Sequence, residues 1–204
     1  MNKHKRLFFS VVLATLCLES CYVAKPLERE VHISINNDFP VTIKNVGNSN
    51  FASKHTDAEY RKSYMDELTR ELINNHVIID NVAPEFEVRI LSLELHESTK
   101  LDTVKDVKSK DNGMVRELTL AGLKTSGTVL KIGGTSPIAW EADKEKDENL
   151  TNNRSVDQMI AGENKDGTTY REKAFDNNEF VVQAGHCGRR AAVRITQDVK
   201  KLLQ

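Results

Sequence analysis

Residues 86–95 read Phe-Glu-Val-Arg-Ile-Leu-Ser-Leu-Glu-Leu, and this run decides the fold. Apolar and polar residues alternate at a period of two, the mark of a strand with one buried face. The parity changes midway: Phe86, Val88 and Ile90 share one face, whereas Leu91, Leu93 and Leu95 share the other. Either a bulge inserts one extra residue and resets the pleat, or the strand is covered on both faces. Just upstream, His76-Val77-Ile78-Ile79-Asp80 has the β-branched content of a short buried strand, and Pro84 and Glu85 introduce the longer one.

Upstream lies a helix. Thr56-Asp57-Ala58-Glu59 is a capping box, in which the threonine hydroxyl satisfies an orphan amide and the glutamate reaches back. Tyr60, Tyr64, Leu68 and Leu72 then fall on one stripe, joined by Met65 and Ile73, and Asn74-Asn75 ends it. Aromatics at that spacing read as core. Earlier, Val31–Ile35 alternates as a strand, Asn36-Asn37-Asp38 with Pro40 makes a turn, and Val41, Ile43 and Val46 suggest a second short strand or strand-like loop. Residues 47–54 read as loop.

Downstream, Asp111-Asn112-Gly113 is a tight-turn signal, so the region 100–110 pairs with Met114 to Leu123 as a hairpin. A second hairpin joins Thr128–Ile132 to Ile138–Ala142 through Gly133–Pro137, with Pro137 and Trp140 near a sheet edge. Residues 141–166 are charged and Asn-rich and read as a polar loop excursion. A terminal helix carries Ala191, Ile195, Val199 and Leu202 on its apolar stripe. The stripe extends back through Cys187, Ala184 and Phe180 to Glu179, although Gly185 and Gly188 weigh against that extension. This order predicts an α+β fold: an antiparallel or mixed sheet packed by two amphipathic helices, as a single domain over 31–204.

The 204-residue chain has a formal net charge of −1. That balance argues against nucleic-acid binding, which usually shows as a basic surplus. Three cysteines exclude a disulfide-dense scaffold. Residues 1–20 separate from the rest: Lys3, Lys5 and Arg6 precede the apolar run Leu7–Leu18, the pattern of a secretory signal peptide. Removing them takes away three bases and one acid. The mature chain is then 184 residues long with a net charge of −3. Its first ten residues, 21–30, read as a tether interrupted by Pro26.

Leu18-Glu19-Ser20-Cys21 resembles the lipobox of bacterial lipoproteins, with leucine at −3, a small residue at −1 and cysteine at +1. Glu19 departs from the small or apolar residue usual at −2. The resemblance implies lipidation of Cys21 with diacylglycerol and a further acyl chain such as palmitate. Because Tyr22 rather than aspartate follows, it also implies an outer-membrane, periplasm-facing location.

Enzyme signatures are sparse. The six histidines are dispersed, without zinc spacing, and no GxSxG elbow or P-loop occurs. The calcium-like run 162–173 has Gly162 and Lys173 where acidic anchors are needed. No metal or cofactor is expected. Cys187 beside His186 is the one thiol-enzyme pairing, set against a small buried cysteine and against a Cys21–Cys187 disulfide. Arg189, Arg190 and Arg194 form a basic helix face, either solvated or suited to anionic lipid.

Taken with the lipobox, the element order resembles the small α/β outer-membrane lipoproteins, including lipopolysaccharide-assembly lipoproteins and auxiliary lipoproteins of envelope ABC transporters. That resemblance implies a non-enzymatic, lipid-anchored protein binding a protein partner or lipid in outer-membrane assembly or transport. The alternatives are an adaptor of a cell-wall enzyme and a thiol enzyme using Cys187 and His186.

Overall fold

The computed structural model describes residues 25–45, 51–103, 108, 112–113, 115–146, 154–155 and 178–204. The signal peptide, Cys21, Val46 and the calcium-like run lie outside the described residues. So does the expected loop apart from 141–146 and 154–155.

The chain builds a mixed seven-stranded sheet. Its strands are β1 Val31–Ile35, β2 Val41–Asn45, β3 Val77–Ile79, β4 Phe86–Thr103, β5 Val115–Lys131, β6 Ile138–Lys146 and β7 Arg154–Ser155. The order is β3-β1-β4-β5-β6, with β2 against β4 beyond the end of β1, and β7 against β5. β1 pairs in parallel with β3 and β4, as β2 does with β4, whereas β5 is antiparallel to β4, β6 and β7. Helices α1 (Asp57–Asn74) and α2 (Glu179–Leu203) pack on one another and on one face of this sheet. The α+β class and the mixed sheet are as the sequence predicts.

The segment read as a strand at 86–95 continues to Thr103, about 60 Å of extended chain. It pairs with β5 out to Thr103 opposite Val115, around a turn in which Gly113 has φ +84°. A bulge resolves the parity switch, because the β4–β5 register shifts between Ile90 and Ser92. Phe86, Val88, Ile90, Leu93 and Leu95 all face the helices, while Leu91 is 52% exposed. Leu91 therefore does not share the burial of Leu93 and Leu95, since it is the inserted residue. Where β1 stops short of the bulge, the Asn36 side chain takes over its pairing: Ile90 N donates to Oδ1 at 2.7 Å and Nδ2 donates to Ile90 O at 3.0 Å. On the core side, Thr125 Oγ1 donates to Ser92 O at 2.8 Å, and the Tyr64 hydroxyl lies 3.1 Å from Thr125 Oγ1.

The capping box of α1 is formed: Glu59 N donates to Thr56 Oγ1 and Thr56 N donates to the Glu59 carboxylate. Tyr60, Tyr64, Leu68 and Leu72 are fully buried. Ile73, expected on that stripe, is instead 53% exposed, because one further residue turns about 100° away from Leu72.

Helix α2 starts at Glu179, and the two glycines that weigh against an early start are where it touches α1. A Cβ on Gly188 would stand 2.1 Å from the Tyr64 carbonyl oxygen, and one on Gly185 would meet Ser63 and Glu67. Their propensity cost is offset by close helix packing. Strand β6 corrects the expected loop boundary at 141, since Glu141 to Lys146 is extended and paired with β5. Its alternation escapes notice because an edge strand buries little, here Trp140 and Ala142. Trp140 lies over Gly127 of β5, where a Cβ would meet the indole at 2.2 Å.

Candidate functional site

A connected polar network forms where the N-terminal segment joins the domain. Residues 25–30, the described part of the segment read as a tether at 21–30, carry no helix or strand, yet Leu27 and Arg29 bond to the domain. Leu27 is buried in the core. Its N–H donates to Asn75 O at 3.2 Å, and its carbonyl accepts from His76 Nδ1 at 2.6 Å. His76 holds φ +61°, the left-handed conformation of a residue closing a helix, and its N–H donates to Ile73 O at 3.0 Å. Glycine normally occupies such a position. Here the imidazole's bond to Leu27 offsets the backbone cost of about 1–2 kcal/mol.

Two residues on, Arg29 forms a bidentate pair with Glu85: Nη1 to Oε1 at 2.9 Å and Nη2 to Oε2 at 2.5 Å. Glu85 also accepts from His32 N at 3.3 Å. Arg29 first, with the His32 amide, draws the Glu85 carboxyl down to about 2. Beside it, His32 Nδ1 donates to Asp80 Oδ2 at 2.9 Å. Asp80 Oδ1 accepts from Val82 N at 2.8 Å and Ala83 N at 3.3 Å, and these bonds, with His32 leading, lower its pKa. Ile132 N donates to Glu85 O at 2.9 Å, joining the turn after β5 to the same network. Residues 27–32 are thus fixed to the starts of β1 and β4 and to the end of α1. No sequence motif announces this, because a lone arginine and a lone leucine after a proline carry no periodicity.

Among the described residues, those singled out by sequence converge on no common site. Cys21 lies outside the described residues. Cys187 is a buried free thiol facing Ala142 O at 3.8 Å, and burial pushes its pKa up to about 12. His186 is exposed, on the next direction of the helix. Cys187 therefore packs as a small buried core cysteine, while the Cys21–Cys187 pairing falls on a residue outside the described ones. Arg189 Nη2 lies 3.7 Å from Glu67, Arg190 Nη2 lies 3.3 Å from Asp143, and Arg194 Nη1 donates to Gln197 at 3.5 Å. Arg189 and Arg190 therefore already face carboxylates.

Sequence reading also passes over Glu97. Fully buried at the helix-facing side of β4, its carboxylate accepts from Phe51 N at 3.0 Å and Ala52 N at 2.8 Å. It thereby caps the 3-10 turn Ala52–Lys54, whose Ala52 carbonyl accepts from the Tyr60 hydroxyl at 2.7 Å. Among the described residues no helix is long and apolar enough to cross a membrane.

No protein-family model matches the chain, and no curated protein matches it. Solved structures do align with it. One is a Helicobacter pylori protein described as a neuraminyllactose-binding hemagglutinin homolog: 11% identity, 85% of this chain, 87% of that one, TM-score 0.48. A second is a minor lipoprotein from Acinetobacter baumannii: 14% identity, 83% of this chain, 92% of that one, TM-score 0.36. A third is a hypothetical protein from Chlamydia trachomatis: 14% identity, 84% and 96% coverage, TM-score 0.32.

Proposed function

We propose that the chain is a lipid-anchored, non-enzymatic bacterial envelope protein, held to the outer membrane through Cys21. Its domain would meet a protein partner of envelope assembly or transport. One observation carries the reading: the segment just after the lipobox-like sequence is built into the domain. Buried Leu27 is only six positions on from Cys21, so the anchor leaves at most about 22 Å of chain between acyl group and core. A free flexible leash would need neither the Leu27 contact nor the Arg29–Glu85 clamp. With two or more acyl chains the attachment is firm, since buried methylenes contribute about 0.8 kcal/mol each.

Replacing Cys21 with serine in the full precursor tests this. The variant is expected in the soluble periplasmic fraction, with wild type in the outer membrane and an acyl mass on its N-terminal peptide. Retention of Cys21→Ser in the membrane fraction would sink the reading. Crosslinking in intact cells then identifies the protein partner, and a cell-wall enzyme among the products would favour the adaptor role.

A further inference from the structure

The docked segment sits beside exposed aliphatic side chains that the domain's own packing leaves uncovered. Val82 is 94% exposed and Ile132 is 53% exposed. Val82 lies in the loop between β3 and β4, and Ile132 directly follows β5; both loops meet at Glu85, the residue that clamps Arg29. The first loop is built to hold this shape. Asp80 caps the amides of Val82 and Ala83, His32 fixes Asp80, Asn81 Oδ1 accepts from Ile35 N at 3.2 Å, and Pro84 stiffens the return. A braced loop that presents a valine almost wholly to water leaves its side chain unpartnered within the domain.

We propose that this end of the molecule rests on the lipid surface, with Val82 and Ile132 entering the headgroup boundary next to the anchor. The inference rests on lipidation of Cys21. Given that anchor, the reach of about 22 Å keeps the Glu85 end at the bilayer, where exposed aliphatic carbon gains from leaving water. The helix face around Val182, at the far end of α2 from Leu203, stays in solvent.

The test uses the full lipidated chain in phosphatidylethanolamine–phosphatidylglycerol vesicles. Val82→Cys, Ile132→Cys and, as reference, Val182→Cys each receive a nitroxide, which the buried Cys187 does not take up. All three positions are exposed, so the substitutions leave folding intact. Collisions with dissolved oxygen are expected to exceed those with a water-soluble nickel chelate several-fold more at 82 and 132 than at 182. Equal, water-like accessibility at all three positions on protein that floats with the vesicles overturns the inference and leaves the anchor standing. Labels at 82 and 132 shielded from both reagents would overturn it in favour of a protein contact. Protein that fails to float removes the anchor and the inference together.

Discussion

Replacing Gly188 with alanine puts the helix–helix crossing to a quantitative test. On propensity alone, glycine to alanine inside a helix gains about 1 kcal/mol. The structure predicts the opposite sign. The new Cβ would stand 2.1 Å from the Tyr64 carbonyl oxygen, about 1.3 Å inside ordinary van der Waals contact, and 3.0 Å from the carbonyl carbon. Those are backbone atoms of α1 and cannot rotate aside, so the helices must separate along a seam that contains Tyr64, Cys187 and Ala191. Overpacking of this kind costs about 1–3 kcal/mol, and a rigid neighbour places it at the upper end. Net of propensity, Gly188→Ala should destabilise the domain by about 2 kcal/mol, lowering Tm by about 4–8 °C at this size. Gly185→Ala is the paired control. Its nearest neighbours are Glu67 Cγ at 2.9 Å and Ser63 Oγ at 3.0 Å, side-chain atoms that can move. It should fall within about 0.5 kcal/mol of wild type. Urea and thermal unfolding, followed by circular dichroism on the non-lipidated Cys21→Ser background, reads both. If Gly188→Ala is as stable as wild type or more so, the crossing is not where the structure places it.

Glu97→Ala should cost about 2–4 kcal/mol, because the Phe51 and Ala52 amides lose their acceptor inside the fold; urea midpoints check this, and a neutral result would mean that water reaches the turn. Glu85 has a folded-state value below its unfolded one, so its contribution is present above the ordinary glutamate range and fades as pH falls toward about 2. Arg29→Gln should move the Glu85 titration upward in carboxyl NMR and shift acid unfolding to higher pH, whereas an unmoved Glu85 would contradict the clamp. Native Cys187 should resist iodoacetamide at neutral pH and react only on unfolding, as expected for a buried thiol pushed up to about 12; prompt native alkylation would reopen the question of its reactivity.

Much of the scaffold is legible in the residues because single physical rules act locally. The Thr56–Glu59 box and the stripe from Tyr60 to Leu72 specify α1, and Asn112-Gly113 and Gly133-Gly134 specify the two hairpins. The parity switch at Ile90–Leu91 foretells the bulge. What escapes is decided by tertiary contact. Gly185 and Gly188 read as helix weaknesses until the second helix is in place. Glu141 to Lys146 reads as loop because an edge strand exposes most of its side chains. The candidate site was the least legible part: Leu27, Arg29, His32, Asp80 and Glu85 are dispersed over 59 positions of sequence and become one network only through strand order.

The bulge also ranks the damage that insertions and deletions would do along β4. Removing one residue from a strand ordinarily turns everything beyond it inside out. At Leu91 the arithmetic reverses: Ile90 already opposes Gly127 and Ser92 already opposes Ser126, so a chain lacking Leu91 keeps every partner and every face. It loses the extra local twist that a bulge confers. Loss of Val88, by contrast, would put Phe86 and Glu87 out of step with β1 and β5 together. Length variation in this strand therefore has one permissive position, Leu91, where loss of a single residue returns the ladder to regular pairing.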